Sequence, residues 1–143
     1  MLHRTKYSIL LLLLVSCNRN VVNNSKIADR VFFYEPSVST VNGIITKEVH
    51  YGPPNFGENP ETDSKDTIYV VALIKKISVY PSRDTEKENS NTDSLFNIDK
   101  MQVIGLDKKT LENNIGKEVK LTGTLFEAIS GNHYTKVLIN VRK

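Results

Sequence analysis

The sequence is poor in residues that cross-link a chain. Its 143 residues include one cysteine, Cys17. A single thiol excludes an intramolecular disulfide bond. A folded domain in this chain must therefore be stabilised by its core, by a metal ion or by a partner.

Long apolar runs and an excess of one charge are also missing beyond residue 16. No later run approaches the roughly 18 apolar residues that a membrane-spanning helix needs. Residues 1–16 contain Arg4 and Lys6 and no carboxylate, so the formal net charge of +3 falls to +1 without them. A nearly neutral domain lacks the positive charge that binding to a phosphate backbone requires, so nucleic acid is not an expected partner. No motif diagnostic of catalysis or of a cofactor is found.

The N-terminal segment has the features of a secretory signal. Arg4 and Lys6 precede an apolar stretch over residues 9–15, and small side chains follow. Leu14-Val15-Ser16-Cys17 resembles the lipobox of bacterial lipoproteins. The resemblance implies transfer of a diacylglyceryl group to the Cys17 thiol and cleavage after Ser16. We therefore expect a signal peptide at 1–16, a lipidated cysteine with a flexible tether at 17–33, and a folded domain at 34–143.

The lipid on Cys17 predicts a location in the bacterial cell envelope. Two acyl chains suffice for stable membrane anchoring. Asn18 follows the cysteine, and by resemblance to enterobacterial sorting a residue other than aspartate favours the outer membrane. No acidic cluster follows, which favours a protein that faces the periplasm.

Five segments of the domain alternate between apolar and polar residues, as strands do. They are 38–50, 67–80, 96–105, 117–127 and 134–142. The second segment is apolar on both faces, and the third is weak because Lys100 and Gln102 separate Ile98 from Ile104. Residues 31–36 are too apolar to stay solvated and are expected to dock on the domain.

One helix is predicted between the third and fourth strands. Asp107 suits its N-cap, and Leu106 is placed to contact Leu111 as a hydrophobic staple. Leu111 and Ile115 share one face, and Gly116 suits the left-handed position after the helix. The order of elements predicts a mainly β fold, a small five-stranded OB-like Greek-key barrel with one helix between strands 3 and 4.

The loops that join strands 1–2 and 4–5 flank the ligand face of an OB-fold, and they are the two distinctive segments of this sequence. Loop 51–66 is rich in proline and glycine and contains four carboxylates, and the turn at 127–135 contains a histidine and a tyrosine. Candidate ligand-binding residues, several of them aromatic and suited to a sugar or a peptide side chain, are Tyr51, Asn55, Phe56, Glu58, His133 and Tyr134.

A metal-dependent or hydrolytic enzyme is the alternative interpretation. His50 ends the first strand and His133 opens the last, so a closed barrel would bring them near the acidic loop. Two imidazoles and a carboxylate suit Zn²⁺. Ser130, His133 and Glu127 lie in one hairpin, which is poor geometry for a catalytic relay, and no nucleophile-elbow motif is present. We therefore assign no catalytic residue.

Several short motifs together resemble a bacterial family known as domain of unknown function 4431. The similarity spans roughly residues 34–142 and rests on Tyr34-Glu35-Pro36, Gly43, residues 51–58, Gly116-Lys117, Gly123-Thr124-Leu125-Phe126, Gly131, His133, Thr135 and Val137. The resemblance implies a small exported domain and assigns no activity. A non-enzymatic binding or interaction module is the favoured function, with a small ligand or an envelope protein as its partner. A structural lipoprotein that packs against another protein is a third possibility.

Overall fold

The computed structural model describes residues 30–82 and 91–142. The predicted signal peptide, Cys17 and the predicted tether up to residue 29 lie outside these ranges. Among the described residues, no helix has the length and apolar character needed to cross a membrane.

Strands form most of the described part of the chain. They are β1 (Arg30–Phe33), β2 (Val38–Tyr51), β3 (Lys65–Tyr80), β4 (Leu95–Ile104), β5 (Glu118–Glu127) and β6 (Val137–Val141), with the helix α1 (Lys108–Asn113) between β4 and β5. The five predicted strands correspond to β2 through β6, and their bounds differ from the predicted ones by three residues or fewer.

Strands β2 to β6 close into a barrel. β2 pairs antiparallel with β3 and with β5, β3 pairs with β4, β5 pairs with β6, and β6 returns to β4 in parallel. This connectivity, with a short helix between the third and fourth barrel strands, is OB-like. The predicted fold class is therefore confirmed.

The alternation of side chains along the strands fills the barrel. Buried residues such as Val41, Ile45, Val71, Leu125 and Ile139 form one apolar cluster. Glycine is required at two inward positions because strands approach each other there. A Cβ atom at Gly43 would meet the carbonyl oxygen of Ala72, and one at Gly123 would meet that of Asn140.

Part of the outer face of the barrel is buried as well. Ile68 and Val70 of β3 are 7% and 0% exposed, as the apolar character of both faces of this strand predicted. In register, Val70 pairs with Gln102, and Gln102 pairs with Leu138, so these side chains share the outer face. Gln102 and Leu138 are buried too. Hydrogen bonds between Gln102 and residues 132–135 place the β5–β6 loop (128–136) over this face.

The helix begins as predicted and ends earlier. Thr110 N–H donates to Asp107 Oδ1 at 2.9 Å, which confirms the N-cap. The helix stops at Asn113 with Asn114 as its C-cap. Ile115 is therefore not on the buried helical face with Leu111 but is 42% exposed. Gly116 has a φ of 76°, but because the helix ends at Asn113 with Asn114 as its C-cap, Gly116 lies one residue beyond the predicted position after the helix. Its N–H donates to the Ile45 carbonyl of β2.

Residues that precede the barrel join the sheet. Arg30–Phe33, which the sequence assigned to the end of the tether, pair in parallel with residues 77–80 of β3. Tyr34 is fully buried, and Glu35 N–H donates to the Leu125 carbonyl at 2.8 Å. Burial, followed by the nearby Glu127 carboxylate, raises the pKa of the Tyr34 hydroxyl above its usual range. The ordered domain thus begins before residue 34.

Candidate functional site

A shallow groove of about 510 Å³ opens at the end of β2, between the β2–β3 loop (52–64) and the β5–β6 loop. We call it the aromatic groove because rings form most of its wall. Its lining residues are Val49, His50, Tyr51, Phe56, Gly131 and Tyr134. Tyr51 and Phe56 are 41% and 49% exposed, so large apolar surfaces face solvent here. Surfaces of this kind often mark binding sites.

The β2–β3 loop is ordered around one buried carboxylate. Asp63 accepts hydrogen bonds from the backbone N–H groups of Gly57, Asn55 and Asn59, at 2.7, 2.8 and 3.3 Å, and from the Asn55 side-chain amide. Burial opposes ionisation of Asp63, but the bonds from Gly57, Asn55 and Asn59 outweigh it, so the pKa of the carboxyl is lowered. The charged form of Asp63 therefore fixes the backbone on both sides of Phe56.

Phe56 connects the two loops. Its backbone has a φ of 52°, a left-handed conformation that is uncommon for a residue with a Cβ atom. A Cβ atom at Gly131 of the β5–β6 loop would lie 2.8 Å from the end of the Phe56 ring. The absence of a side chain at Gly131 therefore lets the ring approach the opposite loop.

Tyr134 is the central ring of the groove, and three residues hold it. Its ring stacks on His50, with centroids 4.5 Å apart and planes inclined by 17°. Its hydroxyl donates to Asp66 Oδ2 at 2.6 Å and lies 3.4 Å from the Tyr51 carbonyl oxygen. The hydrogen bond to Asp66, then burial, then the charge of Asp66 raise the pKa of Tyr134 to about 12. The phenol is thus neutral and a hydrogen-bond donor at physiological pH.

His50 is held from its other side by a charged pair. Its Nε2 lies 3.0 Å from Glu48 Oε2, and Lys100 Nζ donates to both oxygens of Glu48 at 2.8 and 2.9 Å. The hydrogen bond from Lys100 lowers the pKa of Glu48, burial opposes this effect, and the bond to His50 adds to the lowering. Lys100, Glu48, His50, Tyr134 and Asp66 therefore form one continuous set of contacts that includes two residues of the groove wall.

Gln102 attaches the β5–β6 loop to the barrel. Its backbone N–H donates to Thr135 Oγ1 at 2.8 Å, and its side-chain amide donates to the Asn132 carbonyl at 3.2 Å. Its side-chain oxygen accepts from Tyr134 N–H at 2.9 Å. Because Gln102 is buried, these bonds satisfy a group that would otherwise be costly to bury.

The six predicted ligand-binding residues divide into two groups. Tyr51, Phe56 and Tyr134 line the aromatic groove. Asn55 instead directs its amide to Asp63, and Glu58 is exposed, with its N–H bonded to the Asn55 carbonyl. His133 maintains the loop: its Nδ1 accepts from Ile129 N–H at 3.0 Å, and its ring lies edge-on to Phe126.

The histidines proposed as metal ligands have different neighbours. His50 contacts Glu48 and Tyr134, whereas His133 contacts Ile129 and Phe126. Within residues 30–82 and 91–142, no group of three or more histidine, cysteine, aspartate or glutamate side chains is arranged to hold a metal ion.

The sequence analysis assigns no supporting role to four residues that hold the groove. Glu48 lies two positions before His50 and therefore on the same face of β2, and Asp66, one of the four carboxylates of loop 51–66, is opposite His50 in register. In the sequence, Lys100 and Gln102 only weaken the alternation of the third predicted strand. Their polar character at alternating positions of β4 was the available signal, but their partners are distant in sequence.

The C-terminal part of the chain matches a protein family. No curated protein and no solved structure matches the chain. Residues 100–143, which include Gln102 and the β5–β6 loop, match the family described as "Domain of unknown function (DUF4431)". The match confirms the resemblance to this family over the C-terminal part of the barrel.

Proposed function

We propose that this chain is a membrane-anchored binding module of the bacterial cell envelope, and that its aromatic groove holds a ligand without catalysing a reaction. One observation carries the proposal. The two loops that flank the ligand face of OB-like barrels meet at Phe56 and Gly131 and leave exposed rings between them.

The rigidity of the groove supports binding. Tyr134 is fixed by its stack on His50 and its bond to Asp66, and Phe56 is fixed by a loop built around Asp63. A ligand that meets such rings does not have to order them, so less entropy is lost on association. Rings with one apolar face and polar neighbours suit the face of a sugar or a planar side chain.

The two histidines are held by different partners, which supports the binding proposal over a metal ion shared by His50 and His133. His50 Nε2 is engaged by Glu48, whereas His133 Nδ1 accepts a hydrogen bond from Ile129 within its own loop. A shared metal ion needs both imidazoles in one coordination sphere, each about 2 Å from the metal. Among the described residues, no group of three or more histidine, cysteine, aspartate or glutamate side chains is arranged in this way.

The membrane anchor is proposed to be the lipid on Cys17, with the barrel facing the periplasm from the outer membrane. Thirteen positions separate Cys17 from Arg30, the first described residue. Fully extended, that distance is at most about 45 Å. The groove would thus operate close to the membrane surface, within reach of the cell wall.

The proposal is tested by a backbone amide NMR titration of the chain from residue 17 onward with Cys17→Ser. This shortened variant retains all of the residues that the structure describes. The titrants are cell-wall glycan fragments and, separately, divalent metal ions. We expect glycan-induced shifts to cluster in residues 51–66 and 127–135. Phe56→Ala removes an exposed ring and should reduce these shifts, whereas the exposed Ile74→Ala, outside the groove, should not.

A well-folded spectrum that responds to no titrant would contradict the binding proposal and direct attention to a protein partner. Metal-induced shifts confined to His50 and His133 would contradict it in favour of the metal-dependent alternative.

A further inference from the structure

A second groove of about 400 Å³ adjoins the aromatic groove. It lies between residues 96–100 of β4 and residues 134–136 of the β5–β6 loop. We call it the β4 groove. Tyr134 lines both grooves, so they meet at this residue.

The β4 groove exists because β4 is only partly paired on this side. β4 pairs with β6 from Gln102 to Ile104 alone, although the strand begins at Leu95. The first half of β4 and the segment before β6 therefore diverge. Gln102 marks the point of divergence, since it bonds to Thr135 and Asn132 across the gap.

An exposed ring stands in the β4 groove as well. Phe96 is 58% exposed, and it rests edge-on against Tyr80, with ring centroids 5.7 Å apart. A β-bulge lies beside Phe96: the pairing of β3 with β4 shifts register between Ile77 and Val79, and Asn97 has a φ of 57°. Bulges commonly redirect a side chain next to a functional site.

Phe96 and Phe56 thus share an unusual combination of features. Each is an exposed phenylalanine at or beside a left-handed backbone position, and each lies in a groove bordered by Tyr134. Because Tyr134 borders both grooves, a ligand that passed from one groove to the other would meet Phe56, then Tyr134, then Phe96. A compact ligand would contact one or two of these rings, whereas a chain-like ligand would contact all three.

The charges along this path are balanced. Lys100 is paired with Glu48, and the β4 groove adds Lys136 on one wall and Asp99 on the other. The walls therefore do not select for a strongly charged ligand. Polar groups beside apolar rings match a sugar unit, which has an apolar ring face and a rim of hydroxyl groups.

We propose that the two grooves form one extended site for a linear, uncharged oligosaccharide that crosses Tyr134 and reaches Phe96. This inference rests on the proposed binding function and adds the class and length of the ligand. It assigns Phe56 and Tyr134 to one end of the ligand and Phe96 to the other.

Isothermal titration calorimetry tests the inference on the chain from residue 17 with Cys17→Ser. The probes are the dimer and the hexamer of N-acetylglucosamine, which are uncharged and of defined length. We expect the hexamer to bind about tenfold more tightly than the dimer, because it adds contact with a further ring. Phe96→Ala should abolish this difference and leave the dimer unaffected, whereas Phe56→Ala should weaken both.

Phe33→Ala is the matched control. Phe33 is also an exposed phenylalanine beside Tyr80, with ring centroids 6.4 Å apart, but it lines neither groove. Its removal should change neither affinity. NMR shifts of the unsubstituted chain give an independent readout: the hexamer should shift residues 96–100 and the dimer should not.

Equal affinity for dimer and hexamer, or a length dependence that survives Phe96→Ala, would overturn the extended site and leave the binding function intact. Failure of both sugars to bind, with binding of an extended peptide in the β4 groove, would overturn the oligosaccharide assignment. Failure of every glycan and peptide to shift either loop would overturn the binding function itself.

Discussion

The ring of Tyr134 lies nearly parallel to that of His50, with centroids 4.5 Å apart and planes inclined by 17°. The two residues come from opposite ends of the barrel sequence, one at the end of β2 and the other in the β5–β6 loop. Their stack, together with the bond from Tyr134 to Asp66, joins the loop to the β2–β3 hairpin. The shape of the aromatic groove therefore depends on Tyr134.

Tyr134→Phe keeps the ring and removes the hydroxyl. Because the hydroxyl bonds to a carboxylate at 2.6 Å, we expect the free energy of unfolding to fall by about 1 kcal/mol. Denaturant unfolding at neutral pH measures this change. Tyr51→Phe is the control, since its hydroxyl has no hydrogen-bond partner among the described residues. An equal effect of both substitutions would contradict the role assigned to the Tyr134–Asp66 bond.

The same bond predicts a dependence on alkaline pH. The pKa of Tyr134 rises from 10.0 to about 12, chiefly because its hydroxyl donates to Asp66. A raised pKa in the folded state means that the neutral phenol is the stabilised form. Its contribution is fully present below about pH 10 and is lost as the pH rises to about 12.

The difference in unfolding free energy between the unsubstituted chain and Tyr134→Phe should accordingly be constant up to pH 10 and become smaller above pH 10.

Spectrophotometric titration measures the ionisation of Tyr134 directly. Near pH 12, one tyrosine fewer should ionise in Tyr134→Phe than in the unsubstituted chain. Asp66→Asn should lower the pKa of Tyr134, because the carboxylate is removed. A pKa of Tyr134 unaffected by Asp66→Asn would show that burial alone causes the shift.

Among the polar residues of β4, Gln102 is expected to be the one whose substitution lowers the free energy of unfolding most. Gln102→Ala removes the amide that bonds to Asn132 and Tyr134, and leaves these backbone groups without their partner. We expect a loss of about 1–3 kcal/mol in the free energy of unfolding. Asn132→Ala is the matched control, since Gln102 bonds to the carbonyl of this residue and not to its side chain.

Amide hydrogen exchange shows which part of the protein loses stability in Gln102→Ala. In Gln102→Ala, amides of residues 128–136 should exchange faster, while those of β2 should not. Uniformly faster exchange throughout the barrel would mean that Gln102 supports the core and not the loop in particular.

The barrel could be predicted from the sequence because the patterns that indicate its strands and its helix are local. Alternation along the first half of β2 and along most of β5 matches the buried positions, and Asp107 caps the helix as its residue type predicted. β4 shows where local signals fail. Ile98 lies in the core as the alternation predicted, but the next core residues are Met101 and Val103, and Ile104 is only half-buried. The pairing of β3 with β4 shifts register between Ala72–Lys100 and Ile77–Ile98, which changes the phase of the strand, and no residue pattern marks that shift.

The aromatic residues of the candidate site could be predicted from the sequence. The residues that hold them in place could not. Tyr51, Phe56 and Tyr134 stood out because they lie in the two loops that an OB-like barrel places together. Glu48 and Lys100 did not, because the bond between them joins residues 52 positions apart. Such a pair becomes visible only when the strands have closed into a barrel.

The membrane anchor gives a prediction that depends on one atom, the sulfur of Cys17. If a diacylglyceryl thioether forms there, the chain should fractionate with the membrane and resist extraction by high salt, since acyl chains bind through apolar burial and not through charge. Cys17→Ser should release it into a soluble fraction and abolish labelling by radioactive palmitate. Adding Ser25→Cys to Cys17→Ser supplies a thiol at the wrong position, so it should restore neither property. Membrane retention of the unsubstituted chain after a salt wash, without any labelling by palmitate, would show that the chain is held by an uncleaved N-terminal segment or by a protein partner, and not by a lipid on this cysteine.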